Sequence, residues 1–174
     1  MPASASLDPR LARAQAWVAD RRANFRTVFL ATASASEEPE ASAVAAALDA
    51  RGAFLIHVSG LAAHTRHLRE TGRASVLLAE DEAVMTQPLA RRRLTWRCTA
   101  EFLPPADPRF PTAVEAMRAR FGATLELTLT LPDFHLVRLA PQGGRLVAGF
   151  GETYEVDPAD WTRLTPFAPP RRNV

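Results

Sequence analysis

Three short apolar runs, TVFLATA at 27–33, a second at 41–48 and AFLIHV at 53–58, follow one another with only the polar turns SASEEP and DARG between them. Turns this short cannot carry the chain across a sheet, so the runs pair as an antiparallel meander. Further strand patterns stand at 74–79 and at 92–102, where polar and apolar residues alternate as in a half-exposed strand. Residues 125–131 are apolar at alternate positions, and 134–140 and 145–150 flank Pro-Gln-Gly-Gly, which predicts a final hairpin. So many short strands leave unpaired edges unless the sheet closes, which favours a small antiparallel barrel. Periodicity alone leaves a sandwich open as well.

Helices are few and peripheral. Asp8 caps and Pro9 opens one to about Arg22, with Leu11, Ala14, Trp17 and Val18 at helical spacing. A second is predicted over 61–70, where Ser59-Gly60 breaks the preceding strand, and a third over 112–121, with Val114, Met117 and Phe121 on one face. With 174 residues the chain suits one domain, taken as 1–165, and the Pro- and Arg-rich stretch 166–174 reads as a loose tail.

Composition removes several chemistries. Cys98 is the only cysteine, so no internal disulfide or cysteine zinc site staples the fold, and it reads as a small buried residue. The formal charge of +2 is too small to imply nucleic-acid binding. No apolar run reaches the roughly 20 residues that span a bilayer, and no secretory signal is visible, so the expected location is cytoplasmic. All 21 basic residues are arginine. Without lysine there is no Schiff base, no lysine-held pyridoxal phosphate and no Walker-type phosphate loop. Anions fall to arginine and backbone.

The run FLIHVSGLAAHTRHL at 54–68, followed by RASVLL at 73–78, resembles the pyridoxamine 5'-phosphate oxidase-related flavoproteins, and in particular their HugZ-type haem-utilisation branch. LATA at 30–33, PEAS at 39–42, RRLT at 92–95, Asp133-Phe134 and Gly149-Phe150-Gly151 agree in order and distance. The resemblance implies a mainly β fold with peripheral helices: a six-stranded antiparallel Greek-key split β-barrel, working as a homodimer with FMN in clefts at the subunit interface.

FMN presents a dianionic phosphate, a polyol and a flat ring. If Ser59 caps the second helix, the N–H groups of its first turn point at an anion. Arg66 adds a bidentate charged pair, and the Ser59 and Thr65 hydroxyls each donate a hydrogen bond. By the resemblance this is the phosphate-holding segment, and His64, on the family's His-Thr pair, is a donor to the phosphate or the ribityl chain. His67 stands where many relatives carry asparagine. Ser42 lies on the strand where the oxidases proper set an arginine and a lysine against the cofactor, which shifts the load to Arg66 and Arg93. Alternation lets only one of Arg92 and Arg93 face the cleft, and position favours Arg93. Each of these residues also has a plainer reading as a solvated or structural side chain. His57, His64 and His67 form at most a weak metal constellation. Gly149-Phe150-Gly151 is either a close approach to a ligand or a bulge.

The main functional reading is an FMN-binding oxidoreductase with a small-molecule substrate and no assigned catalytic residue. The alternatives are a haem-binding protein on the same barrel and a cofactor-free structural barrel. Relatives in the haem branch carry a further C-terminal domain; none is expected here, and 166–174 holds no histidine to serve as an axial ligand.

Overall fold

A computed structural model describes residues 8–168. Helix α1 (Pro9–Asn24) starts as its sequence dictates: the Asp8 carboxylate accepts from Arg10 N–H at 2.9 Å, and Ala14, Trp17 and Val18 are buried. Strands β1 (Thr27–Ala33), β2 (Pro39–Leu48) and β3 (Phe54–Ser59) form the meander. After helix α2 (Ala63–Thr71), strand β4 (Arg73–Ala79) returns to pair antiparallel with β1, which completes a Greek key.

Strand β5 (Arg93–Leu103) follows, then α3 (Phe110–Phe121), α4 (Ala123–Leu129), β6 (Phe134–Gly149), β7 (Glu152–Val156) and β8 (Leu164–Pro166). The strand order β3-β2-β1-β4-β5-β6 closes on itself because β6 also pairs with β3, from Ser59↔Phe134 to Phe54↔Leu139. The result is a closed six-stranded antiparallel barrel with flanking helices. The second half of β6 runs past β3 and carries β7 and β8.

Several local expectations are corrected. Residues 125–131 do not form a strand: α4 occupies most of them. Leu125, Leu127 and Leu129 alternate, but Leu125 and Leu129 are also one helical turn apart, and those two pack on α3 and its neighbours while Leu127 stays exposed. The hairpin predicted around Pro-Gln-Gly-Gly is instead one continuous strand. The four residues bend β6 opposite a register shift between Arg97 and Cys98. Helix α2 begins at Ala63 with Ala62 as N-cap, two residues later than expected. The first residues of the stretch predicted as a loose tail are anchored: Pro166 belongs to β8 and Phe167 N–H donates to Thr153 O at 2.8 Å. Residues 169–174 lie outside the described range.

Inside the barrel, Leu30, Phe54, Ile56, Val76, Trp96, Val137, Leu139 and Leu146 are fully withdrawn from water. Trp161 stacks on Trp96 at 4.8 Å and on Phe54 at 5.4 Å. Cys98 joins this core, and burial pushes its thiol up to about 12, which makes it unreactive. A second cluster, Ala47, Leu55, Leu103, Val114, Met117, Leu125 and Leu136, sits between β2, β3, β5, β6 and the pair α3–α4. The two helices therefore cover one side of the barrel. The outward face of β2, β1 and β4 has no such cover: Ala41, Ala43, Ala45, Ala31 and Phe29 are exposed there, with Phe29 beside Ala43 and Leu77.

Gly144 lies under the indole of Trp96, where an added Cβ would stand 2.5 Å from the ring. Replacing Gly144 with alanine overpacks this contact and is expected to cost about 1–3 kcal/mol, seen as a lower urea midpoint at an unchanged slope. A midpoint equal to that of the parent would contradict this packing.

Candidate functional site

The turn from β3 into α2 is held from below by the start of β6. Gly60 N–H donates to Asp133 O at 2.6 Å, and Ser59 Oγ–H donates to Asp133 Oδ2 at 2.7 Å while accepting from Leu61 N–H at 3.1 Å. Thr65 is buried and spends its hydroxyl proton on Ser59 O at 2.7 Å. Gly60 is required by contact: a Cβ there would meet Asp133 O at 3.0 Å and His135 Nε2 at 3.2 Å. His135 Nε2 accepts from Arg69 at 2.7 Å, and the Arg69 guanidinium lies 5.0 Å from the Phe102 ring centre. The first turn of α2 is thus tied to β3 through Thr65, and its last turn to β5 and β6 through Arg69.

The inner face of α2 is tied to β1 and β2. Ser42 Oγ and His64 Nδ1 are 3.0 Å apart, and Thr32 Oγ1 and the buried His67 Nδ1 are 3.2 Å apart. His64 Nε2 is the anomaly. It is withdrawn from water and has no hydrogen-bond partner among the described residues. Burial lowers the His64 pKa, more than the field of Glu40 raises it. His64 is therefore a neutral imidazole at pH 7 with one nitrogen fixed by Ser42 and the other unspent.

The structure brings Ser42, Ser59, His64 and Thr65 together around α2, keeps Arg66 on that helix with its side chain turned to solvent, and leaves Arg93 apart from them. Ser59 does not cap the helix through its side chain. The Arg66 side chain is 66% exposed, with Glu70 as its neighbour at 4.0 Å. Arg93 is on β5, three strands from Ser42 in the order β2-β1-β4-β5, and on the opposite face: Ser42 shares the inward register of Leu30, Val76 and Trp96, whereas Arg93 points outward with Arg97. Its side chain donates to Arg91 O at 3.0 Å. Arg92 pairs with Glu80, so it is committed to structure. His57 turns to Thr128 Oγ1 at 3.0 Å and Phe134, away from His64 and His67. Phe150 stands exposed in the turn between β6 and β7.

Sequence reasoning did not single out Asp133, His135 and Arg69 as site residues, although Asp133-Phe134 carried part of the resemblance. Their roles depend on β6 returning to β3, which no local pattern shows. Asp133 matters most, because it places a carboxylate against the Ser59 hydroxyl, where a phosphate donor was expected.

The sequence matches the profile of the pyridoxamine 5'-phosphate oxidase family over residues 14–148. The chain belongs to that family. It is 32% identical over 139 residues to the haem oxygenase HutZ of Vibrio cholerae, spanning 80% of this chain and 78% of that protein. The crystal structure of HutZ, described as a haem storage protein, superposes with a TM-score of 0.70 at 29% identity, over 74% of this chain and 91% of that one. The structure of a haem-binding protein from Mycobacterium smegmatis superposes with a TM-score of 0.72 at 25% identity, over 90% of this chain and 61% of that one. The split-barrel fold of the family is thus the fold of this chain.

His57, His64 and His135 are all held below their ordinary value, each chiefly by burial. Their unfolded forms bind protons more readily, so the stability that their neutral forms contribute is complete above the unfolded value of about 6.5 and is lost as pH falls through the lowered folded values. The urea midpoint is expected to fall between pH 7.5 and pH 5.5. A midpoint that is flat or rises over this interval would contradict the burial of the three rings.

Proposed function

We propose that this chain binds haem as a homodimer of the split-barrel family, and that His64 supplies the imidazole offered to the iron. The observation that carries the proposal is the unspent Nε2 of His64. A polar atom buried without a partner costs about 1–3 kcal/mol, a cost that a ligand at that atom removes. With Nδ1–H donated to Ser42 Oγ, Nε2 carries the lone pair, and turning the half-buried ring about its side-chain bonds would exchange the Ser42 contact for a ligand on Nε2. Neutrality suits metal ligation, since a protonated imidazole has no lone pair to give. The exposed guanidinium of Arg66 is a cation for a haem carboxylate. HutZ and the M. smegmatis protein, both named for haem, support the same reading. Bound haem would supply redox-active iron. The chain's part is to hold it between an imidazole and a cation.

FMN is the second reading, favoured by the family match and by the N–H groups that open α2. The side-chain donors fit a dianionic phosphate less well. Ser59 and Thr65 have given their protons to Asp133 and to Ser59 O, and the Asp133 carboxylate repels a phosphate nearby. On this account, Asp133→Asn tightens FMN and leaves haem affinity unchanged.

The homodimer is supported by the uncovered outward face of β2, β1 and β4. Phe29, 54% exposed in the midst of four exposed alanines, is an apolar anchor that a second copy would bury. Phe29→Glu is expected to shift the protein from dimer to monomer in sedimentation velocity; dimers that persist at micromolar concentration would move the interface elsewhere.

Titration of the purified protein with haemin, followed in the Soret band, tests the main proposal. Saturable binding is expected, with His64→Ala weakening it by tenfold or more, about 1.4 kcal/mol, and His64→Ala keeping the parent's circular dichroism. Haemin binding that is unchanged in His64→Ala would remove His64 from the site, and absence of haemin binding by the parent would overturn the reading.

A further inference from the structure

Between α1 and α3, over the end of β2, lies a groove of about 510 Å³, a volume in the range of small-molecule sites. Its walls are small and apolar: Ala19 and Ala23 from α1, Ala116 and Ala119 from α3, and Ala47 and Leu48 from β2. Its polar side chains are two arginines and the neutral Thr162. Arg22 and Arg120 line it, and Arg26 stands beside Arg120, donating to Arg120 O at 3.3 Å.

Each of these three arginines rests on an aromatic ring: Arg22 at 5.6 Å from Trp161, Arg26 at 6.0 Å from Phe121 and Arg120 at 4.8 Å from Phe25. None of them pairs with a carboxylate among the described residues. Asp160, which lies in the field of Arg22, accepts from the Thr162 N–H and hydroxyl through Oδ1 and forms no ion pair with Arg22. Arg120 Nε is buried without a partner. Burial and the neighbouring Arg26 both lower the Arg120 pKa, a cost to its charge that an anion nearby offsets. The larger cavity beside β5 and β6 differs in this respect, because Glu155 and Asp157 face its arginines Arg97, Arg145 and Arg163. Two carboxylates there offset two of the three arginines; no carboxylate among the described residues lines the α1–α3 groove.

We infer that the groove between α1 and α3 binds an organic anion with an apolar body, of the fatty-carboxylate class, its carboxylate on Arg120 and Arg22 and its chain along the alanines. The two halves of such a ligand match the two halves of the groove. A bare inorganic anion would leave the alanines wet, and an uncharged alkane would leave Arg22 and Arg120 without a counter-charge. The site is separate from α2 and does not depend on the haem reading.

Isothermal titration of the full chain with decanoate, and in parallel with decyltrimethylammonium, tests it. Decanoate is expected to bind with a Kd below about 1 mM and the cationic amphiphile not to bind. Arg120→Gln should weaken decanoate by tenfold or more. Ala119→Leu, at an exposed position that narrows the groove, should do the same while leaving the fold and the haemin titration intact, so the inference stays testable if Arg120→Gln is unstable. Equal binding of the two amphiphiles, no binding of decanoate, or decanoate affinity unchanged in Ala119→Leu would overturn it.

Discussion

The pairing of β6 with β3 is the constraint on which the rest of the molecule depends. Residues 134–139 of β6 hydrogen-bond along the whole of β3, and that single ladder turns an open Greek key into a closed barrel. It also brings Asp133, immediately before β6, to the end of β3, where it takes the Gly60 N–H and the Ser59 hydroxyl. Barrel closure and the shape of the site are one event. The second half of β6 bends away at Gly143 and Gly144, lets Trp96 lie beneath it, and carries β7 and β8.

Closure commits the side chains around α2. Ser59 and Thr65 bond within the turn, His67 bonds to Thr32, and His135 accepts from Arg69. What remains is one imidazole with a free nitrogen and, on the same helix, an exposed arginine. That residue set differs from a phosphate cradle, although the backbone that surrounds it is the backbone of an FMN-binding family. Retaining a barrel while changing which side chains face its ligand is how one fold comes to hold different cofactors.

Much of the fold was legible in the sequence because burial follows period. β1 alternates between exposed and buried, β3 is buried on nearly every position, and the meander follows from turns of a few residues. The failures came where two patterns coincide or where turn chemistry serves another purpose. Leu125, Leu127 and Leu129 satisfy both a strand and a helix, and only the neighbouring Val114 and Met117 decide between them. Pro-Gln-Gly-Gly has the composition of a turn, yet its glycines admit the side chains of Trp96 and Arg97 across a bent strand. At the site, the meeting of Ser42, His64 and Thr65 followed from the resemblance. Arg93 did not join them, because strand alternation put it on the other face of the sheet, and Asp133 was invisible as a partner until β6 was placed.

The chain has no lysine, so every fixed positive charge is a guanidinium, and many of these are already stacked or paired. Which ligand the chain takes then depends on the acceptors and donors that closure leaves unspent, and on the proposed haem reading that group is His64 Nε2. The most direct measurement is a competition: purified protein equilibrated with equal concentrations of haemin and FMN, passed through a desalting column, and read by absorbance. The account predicts a Soret band on the protein fraction and flavin in the small-molecule fraction. Flavin absorbance travelling with the protein and haemin left behind would contradict it.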